Sequence, residues 1–124
     1  MLLRLSHIIV YCSQMERSVR FYRDQLGLPV KFESPDWTEF HSGATTLALH
    51  LANHAAGAAG EHRNSQAGQA HPSLEVLDLD RFYEEKKAKG IEFLLPPAMQ
   101  DFGRRMAVVR DPDGLPISVT EEQR

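Results

Sequence analysis

The chain has 124 residues, 42% of them hydrophobic and 25% charged, which is the composition of an ordinary globular protein with one compact core. Its formal net charge of −3 at pH 7 argues against a nucleic-acid surface, because phosphate binding needs a concentrated basic patch. The single cysteine, Cys12, excludes an intrachain disulfide and fits a reducing compartment. No apolar stretch approaches the roughly 20 residues of a membrane span. We therefore expect a cytoplasmic protein that binds neither nucleic acid nor membranes.

The first part of the chain predicts a strand, a helix and three further strands. Residues 5–12 are rich in β-branched and aromatic side chains, as strands are. A capping-box pattern at residues 13–16 then predicts a helix start. The helix has apolar residues spaced by four, three and four positions, and it ends at a glycine: Met15, Val19, Tyr22, Leu26 and Gly27. Further strands are predicted at residues 30–33, 37–41 and 45–51.

The second part repeats this order after a segment rich in alanine and glycine. Residues 53–70 have no sustained apolar period, so we interpret them as a linker. A strand at 71–76 precedes a helix for which Asp78 is a plausible cap. Strands follow at 91–95, stopped by Pro96 and Pro97, then at 106–110 and 115–120. Residues 111–114, Asp-Pro-Asp-Gly, carry proline and glycine where a type I turn favours them.

The two parts share the sequence Arg-Phe-Tyr, at residues 20–22 and again at 81–83. Two copies are too few for a solenoid and indicate instead two similar modules, at 1–52 and 71–124, related by a pseudo-two-fold axis. Equivalent positions of two such modules can converge on one shared site. Function is therefore to be sought where the equivalent strands meet.

Alternation along the strands separates an apolar face from a polar one. Successive residues of a strand point to opposite sides, so the leucines of the 45–51 strand share one face and His50 lies on the other. The same rule puts Ile8 and Val10 opposite His7, and Leu74 opposite Glu75. A sheet curved around the polar face would form a cup, a typical small-molecule site, lined by His7, His50, His71, Glu75 and Ser118.

The chain resembles the vicinal oxygen chelate superfamily, which includes glyoxalase I, bleomycin-resistance proteins and extradiol dioxygenases. The resemblance is carried by the order and spacing of short motifs over nearly the whole chain except the linker: Ser-His-Ile-Ile-Val at 6–10, Ser-Val-Arg-Phe-Tyr at 18–22, Leu-Gly-Leu at 26–28, Trp-Thr-Glu-Phe at 37–40, Leu-Ala-Leu-His at 47–50, Leu-Glu-Val-Leu-Asp-Leu-Asp at 74–80 and Arg-Asp-Pro-Asp-Gly at 110–114. It implies an α+β fold of two βαβββ modules whose mixed sheets curve around a cup. It also implies a homodimer whose cups are completed across two chains.

The resemblance further implies a set of metal ligands at four equivalent strand positions, two in each module. These positions correspond to His7, His50, His71 and Ser118. The fourth is usually glutamate in the family's enzymes, and that glutamate helps to hold the metal. Its replacement by Ser118 argues against the glyoxalase I reaction itself. Three imidazoles can nevertheless bind Zn²⁺, Ni²⁺ or Fe²⁺, and Mn²⁺ is a further candidate.

Two functions remain open from the sequence. The first is a divalent-metal enzyme of lyase, isomerase or dioxygenase type. Its metal ion, held by His7, His50 and His71, would chelate two vicinal oxygens of a small substrate. Glu75 is the candidate general base. The second is a metal-free protein that binds and sequesters a small molecule. For both functions, the candidate ligand-binding residues are Ser118, Tyr11 and Trp37. The rings of Tyr11 and Trp37 are either part of the core or a platform on which a flat ligand stacks.

Overall fold

The computed structural model describes residues 2–52 and 67–123. The chain divides into two compact units, residues 1–66 and 67–124, and each is described by itself. Most of the predicted linker, residues 53–66, lies outside the described residues. Residues 67–70 form a turn and a short irregular stretch.

The first unit has the predicted order of strand, helix and three strands. The elements are β1 (His7–Cys12), α1 (Met15–Val19), a π-helical segment (Arg20–Gln25), β2 (Val30–Glu33), β3 (Trp37–Phe40) and β4 (Thr46–Leu51). They form a mixed four-stranded sheet in the order β1-β4-β3-β2. β1 runs parallel to β4, while β3 is antiparallel to both β4 and β2. This is one βαβββ module, as predicted.

The helical segment of the first unit ends at Gly27 as predicted, with Leu26 as its C-cap and a φ of 93° at Gly27. Its start differs from the prediction by one residue: the helix begins after Gln14, whose side chain makes no capping hydrogen bond, and the Ser13 hydroxyl accepts a hydrogen bond from Arg17 Nη2 at 3.0 Å. After Val19 the helix widens to a π-helix. The widened turns bury the neighbouring residues Phe21 and Tyr22 together, and their rings meet edge to face at 5.0 Å.

The second unit repeats the module. Its elements are β5 (Ser73–Val76), α2 (Leu79–Ala88), β6 (Phe93–Met99), β7 (Arg105–Arg110) and β8 (Pro116–Glu121). The sheet order is β5-β8-β7-β6, with β5 parallel to β8 and the other pairs antiparallel. The topology therefore matches that of the first sheet strand for strand. Asp78 caps α2 as predicted, since its Oδ1 accepts a hydrogen bond from the Arg81 amide at 3.1 Å.

Two strand boundaries of the second unit were predicted wrongly. β5 begins at Ser73, so His71 precedes the strand. β6 does not stop at Pro96 and Pro97 but continues to Met99. It can do so because it is an edge strand, where a proline needs no ladder donor, and its pairing with β7 is irregular between Leu95 and Ala98.

The predicted turn at residues 111–114 is confirmed and is tightly held. The Gly114 amide donates to the Asp111 carbonyl at 2.9 Å, and Gly114 has a φ of 88°, in the left-handed region that glycine tolerates. The buried Asp111 carboxylate accepts hydrogen bonds from the amides of Asp113 and Leu115 at 2.9 and 2.8 Å. The turn thereby fixes the register in which β8 follows β7.

Each sheet buries its predicted apolar face. In the first unit this face includes Val10, Cys12, Leu47, Leu49 and Phe40, all buried, and Phe40 lies 5.9 Å from Tyr22 of the helical segment between ring centroids. In the second unit, Leu79 of α2 packs with Ala107 and Val119. No helix within residues 2–52 and 67–123 is long and apolar enough to cross a membrane.

Candidate functional site

The side of the first sheet that faces away from the helix carries its polar and exposed aromatic residues. We call this side the far face; its members are His7, Ile9, Tyr11, Trp37, Glu39, Thr46, Ala48 and His50. They follow from the strand registers, which place residues in rows across the sheet. One row joins Tyr11, His50 and Trp37 across three strands, and the next joins Ile9, Ala48 and Glu39.

The first of these rows is aromatic throughout. The His50 ring lies 5.3 Å from that of Tyr11 and 5.4 Å from that of Trp37, measured between ring centroids. These separations are typical of interacting aromatic pairs. Tyr11 is 64% exposed, so it is not a core residue, and Trp37 is partly exposed. The ring planes are tilted by 31° in the first pair and 67° in the second, so the row is an exposed aromatic surface that presents both ring faces and ring edges, rather than part of the core.

A hydrogen-bonded cluster lies beside the aromatic row. Trp37 Nε1 donates to Glu39 Oε2 at 2.9 Å, and His7 Nε2 lies 3.6 Å from the same oxygen. β1 and β3 are separated by β4, so their side chains must span about 10 Å of sheet. The β4 residue next to Glu39 is Ala48, whose methyl group leaves room for His7 and Glu39 to approach each other.

Glu39 is held as a carboxylate by this cluster. The hydrogen bond from Trp37 lowers the pKa of Glu39, partial burial acts in the opposite direction, and the electrostatic interactions with Lys31 and His7 lower it further. Lys31 also donates to Thr46 Oγ1 at 3.1 Å, which brings its ammonium group to the far face. Glu39 is therefore an anionic acceptor at neutral pH.

Sequence analysis did not include Glu39 among the candidate residues, because the strand that carries it has aromatic residues of both parities, Trp37 and Phe40. The structure resolves the ambiguity: Thr38 and Phe40 are buried, whereas Trp37 and Glu39 are half-buried. A tryptophan tolerates a position at the edge of a core better than a phenylalanine does, since its N–H needs a partner. That preference is the signal that could have identified the face of Glu39.

The second unit brings together two of the predicted residues. His71 Nε2 lies within 2.9 Å of Ser118 Oγ, although His71 precedes β5 and Ser118 lies in the middle of β8. Ser118 is buried and His71 is exposed. This hydrogen bond orients the imidazole ring. Which of the two groups donates it depends on the tautomer of His71.

Glu75, the candidate general base, is engaged in an ion pair. Arg104 Nη2 lies 2.9 Å from Glu75 Oε2 and also donates to the Glu121 carbonyl at 3.0 Å. The Glu75 side chain is 55% exposed. Its carboxylate is therefore hydrogen-bonded to a cation, and its role as a base stays a prediction.

The registers correct the predicted equivalence of His50 and Ser118. In the second unit, the residue two positions after His71 is Ser73, and Ser118 is its partner. In the first unit, the residue two positions after His7 is Ile9, and its partner is Ala48. The counterpart of Ser118 is thus Ala48, and His50 lies two residues further along. The sequence motif around His50 could not show this, because strand registers depend on pairing.

The described side chains do not form a ready ligand set for a metal ion. Over residues 2–52 and 67–123, no three histidine, cysteine, aspartate or glutamate side chains are grouped so that they could hold one. His7 has a single carboxylate beside it, and His71 has a serine hydroxyl, which is a weaker ligand type. His7 and His50 belong to the first unit and His71 to the second, so their role as one ligand set stays a prediction.

The two modules share one strand order, and a comparison of the sequence with known families agrees with this fold. The model of the Glyoxalase/Bleomycin resistance protein/Dioxygenase superfamily matches residues 4–119. The chain belongs to this superfamily. The resemblance read from the short motifs is thereby confirmed, and with it the fold of two βαβββ modules.

Individual relatives of this superfamily member agree with the fold. The uncharacterized protein YraH of Bacillus subtilis (strain 168) is 29% identical over 118 residues, covering 90% of this chain and 92% of its own. The crystal structure of SMU.1112c has a TM-score of 0.82 at 26% identity, covering 98% of this chain and 100% of that one. Lactoylglutathione lyase from Agrobacterium tumefaciens has a TM-score of 0.73 at 22% identity, covering 95% and 92%; this likeness concerns the fold alone.

Proposed function

We propose that this protein binds a flat aromatic small molecule on the far face of its first unit, without the help of a metal ion. The observation that carries the proposal is the aromatic row Tyr11–His50–Trp37, in which the outermost ring is 64% exposed. An exposed aromatic side chain gains free energy when it stacks on a ligand ring and both surfaces leave water. Polar groups beside the row, His7 and Glu39, supply orientation, as in small-molecule sites generally.

Trp37 allows a direct test, because it is the only tryptophan of the chain. Metal-stripped, untagged protein is titrated with a panel of bicyclic aromatic compounds, and the Trp37 fluorescence is recorded and corrected for the absorption of each compound with free tryptophan as the reference. We expect saturable quenching that is lost in Tyr11→Ala. Phe102→Ala is the matched control, since Phe102 is 62% exposed but belongs to the second unit. Absence of saturable quenching with every compound would contradict the proposal.

A divalent-metal enzyme is the second candidate, and one observation favours it. His7 Nε2 and Glu39 Oε2 lie 3.6 Å apart, so an imidazole nitrogen and a carboxylate oxygen, both good ligands for Zn²⁺, Fe²⁺ or Mn²⁺, already adjoin each other. His50 and His71 stay predictions as further ligands. In this candidate the metal would supply Lewis acidity toward vicinal oxygens of a small substrate.

The metal content of the purified protein separates the two candidates. Untagged native protein and a His7→Ala/His71→Ala variant are analysed by plasma mass spectrometry before and after soaking with Zn²⁺, Ni²⁺, Mn²⁺ and anaerobic Fe²⁺. A stoichiometric metal that the variant loses would support the enzyme. His41→Ala is the control, since His41 is exposed and follows β3. Absence of metal in all samples would contradict the enzyme, and aromatic binding would then be the one candidate function that remains.

A further inference from the structure

The Glu39 carboxylate has one occupied oxygen and one that remains available to a ligand. Both of its contacts, from Trp37 Nε1 at 2.9 Å and from His7 Nε2 at 3.6 Å, converge on Oε2. Among residues 2–52 and 67–123, no hydrogen bond reaches Oε1. The Glu39 side chain is 21% exposed, and among the described residues Oε1 is not one of the buried side-chain atoms that lack a partner, so this oxygen is open to solvent or to a ligand.

A ligand that displaces water from this carboxylate oxygen has to replace the lost hydrogen bond. An ionised carboxylate can only accept hydrogen bonds, and a charged group that is partly withdrawn from water loses free energy unless it is paired. A molecule that covers this oxygen from the far face therefore has to supply an N–H or O–H in place of water.

The position of Glu39 relative to the aromatic row indicates where that donor is attached. Glu39 and Trp37 are two residues apart on the same strand and share a face, which places the carboxylate beside the indole ring to which it is hydrogen-bonded. The indole N–H lies in the plane of its ring, so a flat ligand that stacks on Trp37 would have its ring edge, rather than its ring face, beside Glu39.

We infer that the ligand is an aromatic or heteroaromatic molecule with an N–H or O–H on its ring edge, and that Glu39 accepts this hydrogen bond. The inference rests on the proposed function and specifies its ligand class. It also disfavours aromatic carboxylates, because a second carboxylate would approach Glu39 with like charge. Lys31, the nearby ammonium, is already hydrogen-bonded to Thr46.

Pairs of compounds that differ only in the donor test the inference. Calorimetric titrations compare naphthol with its methyl ether, and indole with N-methylindole. Methylation removes the donor and leaves the ring. We expect the donor compound of each pair to bind native protein about tenfold or more tightly, as for hydrogen bonds to charged acceptors. In Glu39→Gln the difference should fall to a few-fold.

The matched control is Glu33→Gln. Glu33 lies on β2 of the same sheet, but it is paired in register with the buried Thr38 and contacts Arg23 at 3.6 Å. Its face is thus the one opposite to Glu39. This variant should retain the native preference for the donor compounds.

The outcomes separate the inference from the proposed function. Equal binding of the donor and methylated compounds by native protein would overturn the inference while leaving aromatic binding intact; this comparison needs no variant. An unchanged preference in a folded Glu39→Gln protein would overturn the role of Glu39. Failure of all four compounds to bind would overturn the proposed function and the inference together.

Discussion

His71 and Ser118 are separated by 46 intervening residues, yet His71 Nε2 and Ser118 Oγ lie 2.9 Å apart. The contact exists because β5 and β8 are parallel neighbours and Ser118 pairs with Ser73, just after His71. A hydrogen bond between these two side chains also continues the backbone pairing, since the Ser118 amide donates to the Pro72 carbonyl at 3.0 Å. It fixes an exposed imidazole to the interior of the second sheet.

A double-mutant cycle of His71→Ala and Ser118→Ala measures this contact. We expect a coupling free energy of about 0.5–1.5 kcal/mol in denaturant unfolding, the net value of a typical hydrogen bond. The same cycle with Ser73→Ala in place of Ser118→Ala should give a coupling near zero, because Ser73 is exposed and the His71 ring is hydrogen-bonded to Ser118. A coupling near zero in both cycles would show that the contact is absent in solution.

Aromatic residues on the two faces of the first sheet should respond differently to truncation. Phe40 is completely buried and packs near Tyr22, so Phe40→Ala should lower the free energy of unfolding by about 3–5 kcal/mol. Tyr11→Ala, on the far face, should change it by no more than about 0.5 kcal/mol. Urea unfolding followed by circular dichroism measures both. A large loss in Tyr11→Ala would show that the far face is part of the core.

The turn between β7 and β8 should depend on the Asp111 carboxylate. Asp111→Ala removes the acceptor of two backbone amides and should cost roughly 2–4 kcal/mol of stability, since both bonds involve a charged acceptor and leave amide donors unpaired. Asp111→Asn retains an oxygen acceptor and should cost less. Equal losses in thermal or urea unfolding of the two variants would contradict this role of the carboxylate.

Acid should weaken the contact between α2 and β7. Hydrogen bonding by Arg105, at 2.8 Å from Asp80 Oδ1, lowers the pKa of Asp80. A carboxylate with a lowered folded-state pKa stabilises the fold above its unfolded-state pKa, and this contribution is lost as pH falls below about 4. Asp80→Asn should therefore show a slightly shallower loss of stability in acid than native protein. Asp101→Asn, in the β6–β7 turn, serves as control and should follow the native curve.

Much of the fold could be predicted from local pattern. Alternation placed Val10, Leu47 and Leu49 on a buried face and His7 opposite them, and the burial confirms each of these assignments. The boundaries that were wrong depended on neighbours: β6 passes through Pro96 and Pro97 because it is an edge strand. Whether a strand lies at an edge is a property of the sheet and cannot be read from the strand's own residues.

The candidate site was only partly accessible to sequence analysis. The candidate residues Tyr11 and Trp37 were identified, but their place in one row with His50 follows from the register of three strands. Glu39 was missed, because two aromatic residues of opposite parity left its face undecided.

The sequence by itself determined the two βαβββ modules, because strand alternation, helical spacing and the turn at residues 111–114 are local properties. It also determined that histidines open the first strand region of each module. Only the tertiary structure decided that Ala48, rather than His50, is the counterpart of Ser118, and that Glu39 meets His7 and Trp37. These relationships depend on which strands pair and in which register, and a shift of one residue would turn every side chain to the other face.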